Sequence, residues 1–424
     1  MTSGFGFLGG AQSRLLPASI PFRFFAAAAL FHVALWLVLL RCADQVIHFR
    51  GGMAPPLAAV HLLVLGVLAM TAIGAAAQLL PVATRRALIA YWPIKLVFWM
   101  FVPGLALLIS GMYWGRIPWV IAGAATSAAG LAVFAALLGD NLRRAGRLPI
   151  VAGYGWAAIA ALLAVVVLGL ALSVDFATGI LSDHMAVARA HMILGAYGFM
   201  GMLALGFSHI LIPMFTLSSA PQKRPAAVGF AAAVAGVATG TLGALLGSTD
   251  LLTAAAVVGM IAAGTHVWLM YQTIKTGMRR RLGLSFVLIR ASWVSLPVSL
   301  VAGLAAVREH AGPDGPALFG LLLLGGWLLT FLLGILQRIL PFLASMHAVR
   351  TPQSAPPLLS ELAGTALLRA HAVCHGLALL GLAGAILLGS IDLARGASAV
   401  GLTGAIAFAG FTGGVLRRLV AVRS

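Results

Sequence analysis

The chain has 424 residues, 62% of them hydrophobic and only 8% charged, with 9 acidic side chains against 27 Lys and Arg. So little polar surface excludes a soluble protein of this length and points to an integral membrane protein built from spans of about 20 apolar residues. The formal charge of +18 does not indicate nucleic acid, because the basic residues sit in short clusters between apolar runs, as in cytoplasmic loops.

Charges, Pro/Gly punctuation and span length divide the chain into twelve helices at 22–41, 55–80, 87–111, 117–139, 150–172, 187–213, 225–246, 251–273, 284–307, 316–343, 364–390 and 396–416. The expected fold class is therefore all-α, a polytopic transmembrane bundle behind a cytoplasmic segment 1–21. That segment lacks the small-residue cleavage site of a signal peptide, so the first span is expected to stay. With the N-terminus in the cytoplasm, seventeen Lys and Arg fall inside and six outside. This positive-inside bias places both termini in the cytoplasm of a bacterial inner membrane.

One skeleton recurs three times. Gly66, Gly74 and Pro81 in the second helix are separated by eight and seven residues, as are Gly198, Gly206 and Pro213 in the sixth and Gly326, Gly334 and Pro341 in the tenth. The copies start 132 and 128 residues apart, the period of three four-helix units over roughly 22–139, 150–273 and 284–416. All three helices run from outside to inside, so the units are parallel repeats about an axis along the membrane normal. Glycine lets helices approach closely where association depends on packing.

Ionisable side chains are costly inside a bilayer, which makes each a functional candidate. His61 and His191 lie about two turns from the outer ends of equivalent helices, at similar depth. Neutral imidazole ligates haem iron and copper, so this pair is the candidate cofactor site; a hydrogen bond to a carbonyl is the plain alternative for either ring. His371 and His375 share one face of the eleventh helix, in the cytoplasmic half, and form a candidate second metal site. His32 and His266 are further buried polar groups that a bond to a neighbouring helix would satisfy. Arg338 would snorkel to the inner surface or pair with a haem propionate.

The acids all lie in loops or at helix ends, whereas proton- and sodium-coupled carriers usually place a carboxylate at mid-membrane. Nucleotide-binding, HExxH and GxSxG motifs are absent from the sequence. Cys42 and Cys374 form no CxxC pair.

Twelve helices in three arcs, with histidines on the second and sixth, resemble the haem-copper oxidase subunit I superfamily. The segments HLLVLGVLAMTAIGAAAQLLPV and AHMILGAYGFMGMLALGFSHILIPMFTLS look like its small relatives, whose helices begin with a His-x-His or His-Leu pattern, continue through Leu-Gly and end in a Leu-Pro or Pro-Met-Phe turn. The NnrS group, haem-associated membrane proteins of the nitric-oxide response in denitrifying bacteria, is similar in size and helix number. In the superfamily a low-spin haem lies between a histidine of helix two, which His61 matches, and one of helix ten, where this chain has Phe319 and Leu321 at the corresponding levels. The oxidase copper takes one histidine from helix six and an adjacent pair from helix seven, and helix seven here carries none. The Trp-His-Ala-His start and Gly-His-Thr-Gly-Arg end of NnrS proteins are also missing.

The resemblance thus implies a haem- or copper-binding membrane protein that lacks a complete binuclear centre. It would serve respiratory or nitrogen-oxide-related electron transfer or response beside a respiratory or denitrification redox partner. The competing class is a cofactor-free transporter or membrane assembly factor.

Overall fold

A computed structural model of the chain describes residues 15–145, 149–279, 281–348 and 364–423. Among these, 12 helices are long and apolar enough to cross a membrane: α1 Ser19–Arg41, α2 Pro55–Thr84, α3 Trp92–Trp114, α4 Ile117–Arg143, α5 Pro149–Thr178, α6 His184–Thr216, α7 Lys223–Leu245, α8 Thr249–Thr276, α9 Leu284–Val307, α10 Gly315–Ala348, α11 Thr365–Leu388 and α12 Ile391–Ala421. Helices are the economical solution in lipid because each backbone polar group is satisfied within its own segment. Arg14, Arg147, Arg280 and Arg350, four of the basic residues that bear on orientation, and most of the segment 1–21 lie outside the described residues.

Boundaries move where local chemistry overrides hydropathy. The third helix starts at Trp92 and not at 87, with Pro93 in its first turn, a position where proline's missing N–H costs nothing. The sixth starts at His184 because the Asp183 carboxylate accepts the Ala186 N–H and caps it.

Helices α2, α6 and α10 form the centre. Their most apolar stretches are 72%, 72% and 61% buried, against 44% or less in the nine others. Each changes to a π-helix over part of its length: Leu62–Ala69 in α2, Leu194–Gly201 in α6 and Leu321–Leu329 in α10. The first glycine of the repeated skeleton lies inside each π segment, and each segment ends three residues beyond it. All three π segments touch one another. A π turn inserts extra backbone into the helix and is concentrated at functional sites; here it lies directly after His61 in α2 and three residues after His191 in α6.

The glycines bring each central helix against the first helix of its own unit. A Cβ on Gly66 or Gly74 would stand 2.9 or 2.8 Å from Phe31 or Phe24 of α1; on Gly198 or Gly206, 2.7 Å from Ala161 or Tyr154 of α5; on Gly334, 2.9 Å from Ile289 of α9. Gly326 is similar at 3.1 Å from Ser295. The outer helices follow the same rule three times over, since α3 packs on α4, α7 on α8 and α11 on α12. The fourth helix of each unit meets the first of the next, α4 on α5, α8 on α9, and α12 back on α1.

Gly206→Val places methyl groups where Tyr154 already lies, an overpacking that costs about 1–3 kcal/mol. Gly264→Ala, with nothing within 4 Å of the new carbon, is expected to stay within about 1 kcal/mol of the parent. Thermal unfolding of the two variants in detergent should therefore show a clearly lower midpoint for the first alone.

Candidate functional site

The π-helical centre leaves a cavity of about 900 Å³ at the N-terminal ends of α2, α6 and α10. Most of its lining is Leu, Val, Ala and Met, with Tyr197 and Trp327 stacked at 5.7 Å and Arg50, His184, Arg189 and Glu309 as the ionisable exceptions alongside the central histidines. The volume is within the usual range for small-molecule and cofactor sites.

His61 and His191 both face this cavity, with ring centres 6.5 Å apart and planes inclined by 24°. The backbone fixes both tautomers. His61 Nδ1–H donates to Leu57 O at 2.9 Å, one turn back in α2, and His191 Nδ1–H donates to Val165 O of α5 at 3.1 Å. A carbonyl can only accept, so the proton sits on Nδ1 and the Nε2 lone pair is left available. Metal-ligating histidines are typically oriented in this way. Among the described residues no protein group bonds either Nε2. Gly169 of α5 makes room for the second ring, since a Cβ there would lie 3.0 Å from His191 Cε1. Phe319 and Leu321 of α10 also line the cavity, so α10 contributes carbon where the other two central helices contribute imidazole.

The remaining candidates fall into two groups on the other side of the π segments. His32, His371 and His375 are all buried and come together: His32 and His371 ring centres are 6.2 Å apart, and those of His371 and His375 5.8 Å. His266 meets His209 at 6.2 Å, and His209 in turn stacks on Tyr154 at 5.8 Å. Arg338 is neither at the cavity nor loose in lipid. Its Nε donates to Ser285 Oγ at 2.8 Å and its Nη2 to Leu282 O, with the guanidinium over the Phe286 ring. Among the described residues no group of three or more His, Cys, Asp or Glu is disposed to hold a metal ion.

Two participants carry no charge and escaped the sequence reading. Trp36 donates to His32 and Thr330 bonds His375. The first was recoverable from its i, i+4 spacing to His32; the second pairs α10 with α11 and has no local signal.

Comparison with known proteins gives the fold a precedent. A solved structure described as the cryo-EM structure of a heme-copper terminal oxidase dimer superposes with a TM-score of 0.64 over 96% of this chain and 84% of that one, at 12% identity. The chain has a haem-copper oxidase subunit I-like fold. No protein-family model matches it, and no curated protein does.

If α2 and α6 present positions 61 and 191 to each other, a His61→Cys/His191→Cys variant with Cys42 and Cys374 changed to Ser will be joined within one chain by a short thiol-bridging reagent. Mass spectrometry of the digested protein should recover the linked peptide, and only unlinked peptides would contradict the shared cavity.

Proposed function

We propose that the protein resides in the bacterial inner membrane with both termini in the cytoplasm and holds a b-type haem in the outer half of its bundle through His61 and His191. It serves respiratory or nitrogen-oxide-related electron transfer or response, as in the resemblance to the NnrS group, with a redox partner and without a complete binuclear centre. The observation that carries this reading is the pair of imidazoles, each tied by Nδ1 to a backbone carbonyl and each offering Nε2 to one apolar cavity.

The donor set favours haem over a bare ion. A protein-bound zinc or copper ion needs three or four protein ligands, and no such group exists among the described residues. A porphyrin brings four nitrogens of its own and asks the protein for one or two axial ligands. Two imidazoles on opposite sides of one ion, bonded at about 2 Å, have ring centres roughly 6 Å apart, close to the 6.5 Å found. The cavity's hydrocarbon lining suits the macrocycle, and Arg50 and Arg189 near the chain segments that open α2 and α6 suit its carboxylates. Copper remains the smaller cofactor that the same two nitrogens would accept.

The group would supply one-electron chemistry. The protein's own contribution is orientation and shelter. Leu57 O and Val165 O hold both rings in the ligating tautomer, Gly169 admits the His191 ring, and the apolar walls exclude bulk water. Phe319 and Leu321 in place of ligands on α10, together with an α7 that has no histidine, support a role without oxidase turnover.

Protein purified from haem-replete cells is expected to show a reduced-minus-oxidised b-type spectrum, with haem content falling by about tenfold or more in His61→Ala and in His191→Ala, at least the effect of losing an outer-shell partner. His266→Ala should retain the band. A parent protein without any haem band leaves the cofactor-free transporter or assembly factor as the reading.

A further inference from the structure

We propose that His371, His375 and Thr330 form a proton path from the start of α11 to the cavity, with His32 and Trp36 holding the path in register. The proposal builds on the cavity as a reaction chamber, but its chemistry resides in residues that do not touch the proposed cofactor.

The three histidines are 1%, 0% and 3% exposed for His32, His371 and His375, and four of their six ring nitrogens lack a partner: His32 Nδ1, both nitrogens of His371, and His375 Nδ1. Buried polar atoms are nearly always bonded, so a cluster of four invites a functional account. Fixed neighbours assign the protons. The Trp36 indole N–H can only donate, and it does so to His32 Nε2 at 3.0 Å, which puts the His32 proton on Nδ1. The Thr330 hydroxyl donates to Gly325 O at 2.8 Å, so its oxygen accepts from His375 Nε2–H at 2.8 Å, which leaves His375 Nδ1 bare. His371, between the two, has one N–H and one lone pair in either tautomer.

This assignment favours protons over a metal. A three-histidine metal site needs three lone pairs, and His32 presents an N–H instead. The order His32 donor, His371 donor and acceptor, His375 acceptor is that of a directed wire. A proton binding the bare nitrogen of His371 releases the N–H at its other nitrogen to His375 Nδ1. His375 then passes its Nε2 proton to Thr330 Oγ1, and the former Thr330 hydroxyl proton leaves toward the cavity. Each group gains one proton and loses one, and ring rotation resets the chain.

The ends are suitably placed. His371 is six residues into α11, about 9 Å of helical rise from Thr365, at the end that charge asymmetry puts in the cytoplasm. At the other end Gly325, the acceptor of the Thr330 hydroxyl, lines the cavity, as does Trp36. The Thr330 bond reaches back five residues to the π segment of α10, so the widened turn joins the wire to the chamber. A net charge in these apolar surroundings is costly, so transfer follows the arrival of negative charge in the cavity and the path does not leak protons at rest.

The test begins with full-length, cofactor-free protein carrying ¹⁵N-labelled histidine. On transfer to D2O, the His375 Nε2–H is expected to exchange at least tenfold more slowly in Thr330→Val than in the parent, and Thr330→Ser is expected to restore the parent rate. Equal rates in all three overturn the path. A second measurement stands if Thr330→Val does not fold: in haem-loaded proteoliposomes, chemical reduction should draw protons from the cytoplasmic face in the parent and not in His371→Phe. Unchanged uptake overturns the proposal, as does stoichiometric copper or zinc binding that His371→Phe abolishes. A parent that carries no haem removes the reading of the cavity as a haem site and leaves the exchange experiment to decide on the path.

Discussion

A polar group in the hydrocarbon of a bilayer must find its partner inside the protein, and this constraint organises every histidine in the bundle. At the cavity, one nitrogen of each ring is spent on a carbonyl and the other is kept. Beneath it, Trp36 and Thr330 do the same for His32 and His375 with side chains in place of backbone. The result is a set of imidazoles whose tautomers are dictated by their surroundings, which is the condition for ligating an ion or moving a proton reproducibly.

Such positioning requires a rigid frame. Glycines at intervals of eight residues bring the three central helices within contact distance of α1, α5 and α9, while the π segments add backbone at the level where the three meet. Close approach on one side and widening on the other open a chamber without breaking any helix. Tyr197 stacked on Trp327, with the Gly201 position 3.0 Å from that indole, packs α6 against α10 beside it.

Hydropathy and charge made the twelve spans and their alternation legible, because a bilayer imposes length and composition on every crossing. Equal depth in equivalent helices singled out His61 and His191, and both do face one cavity. The grouping of His32 with the α11 pair was hidden, since nothing local relates a residue of the first helix to one of the eleventh; only the return of α12 onto α1 brings those ends of the chain together. The π segments were equally silent. A helix buried on all sides has no polar face, so its apolar run reads the same whether the turn holds 3.6 residues or more. Arg338 was misleading for a different reason: a long basic side chain near a surface fits snorkelling by default, whereas here Ser285 and Leu282 of the neighbouring segment claim it.

The contact between α12 and α1 has a wider meaning. It is the same kind of joint as α4 with α5 and α8 with α9, so the barrel of helices closes without a seam, and covalent order is only one of three equivalent ways to read around it. In such a ring a substitution drifts through one sector while its counterparts hold the other two in shape. That freedom accounts for how α10 carries Phe319 and Leu321 where its sisters carry imidazole, with the circle itself intact.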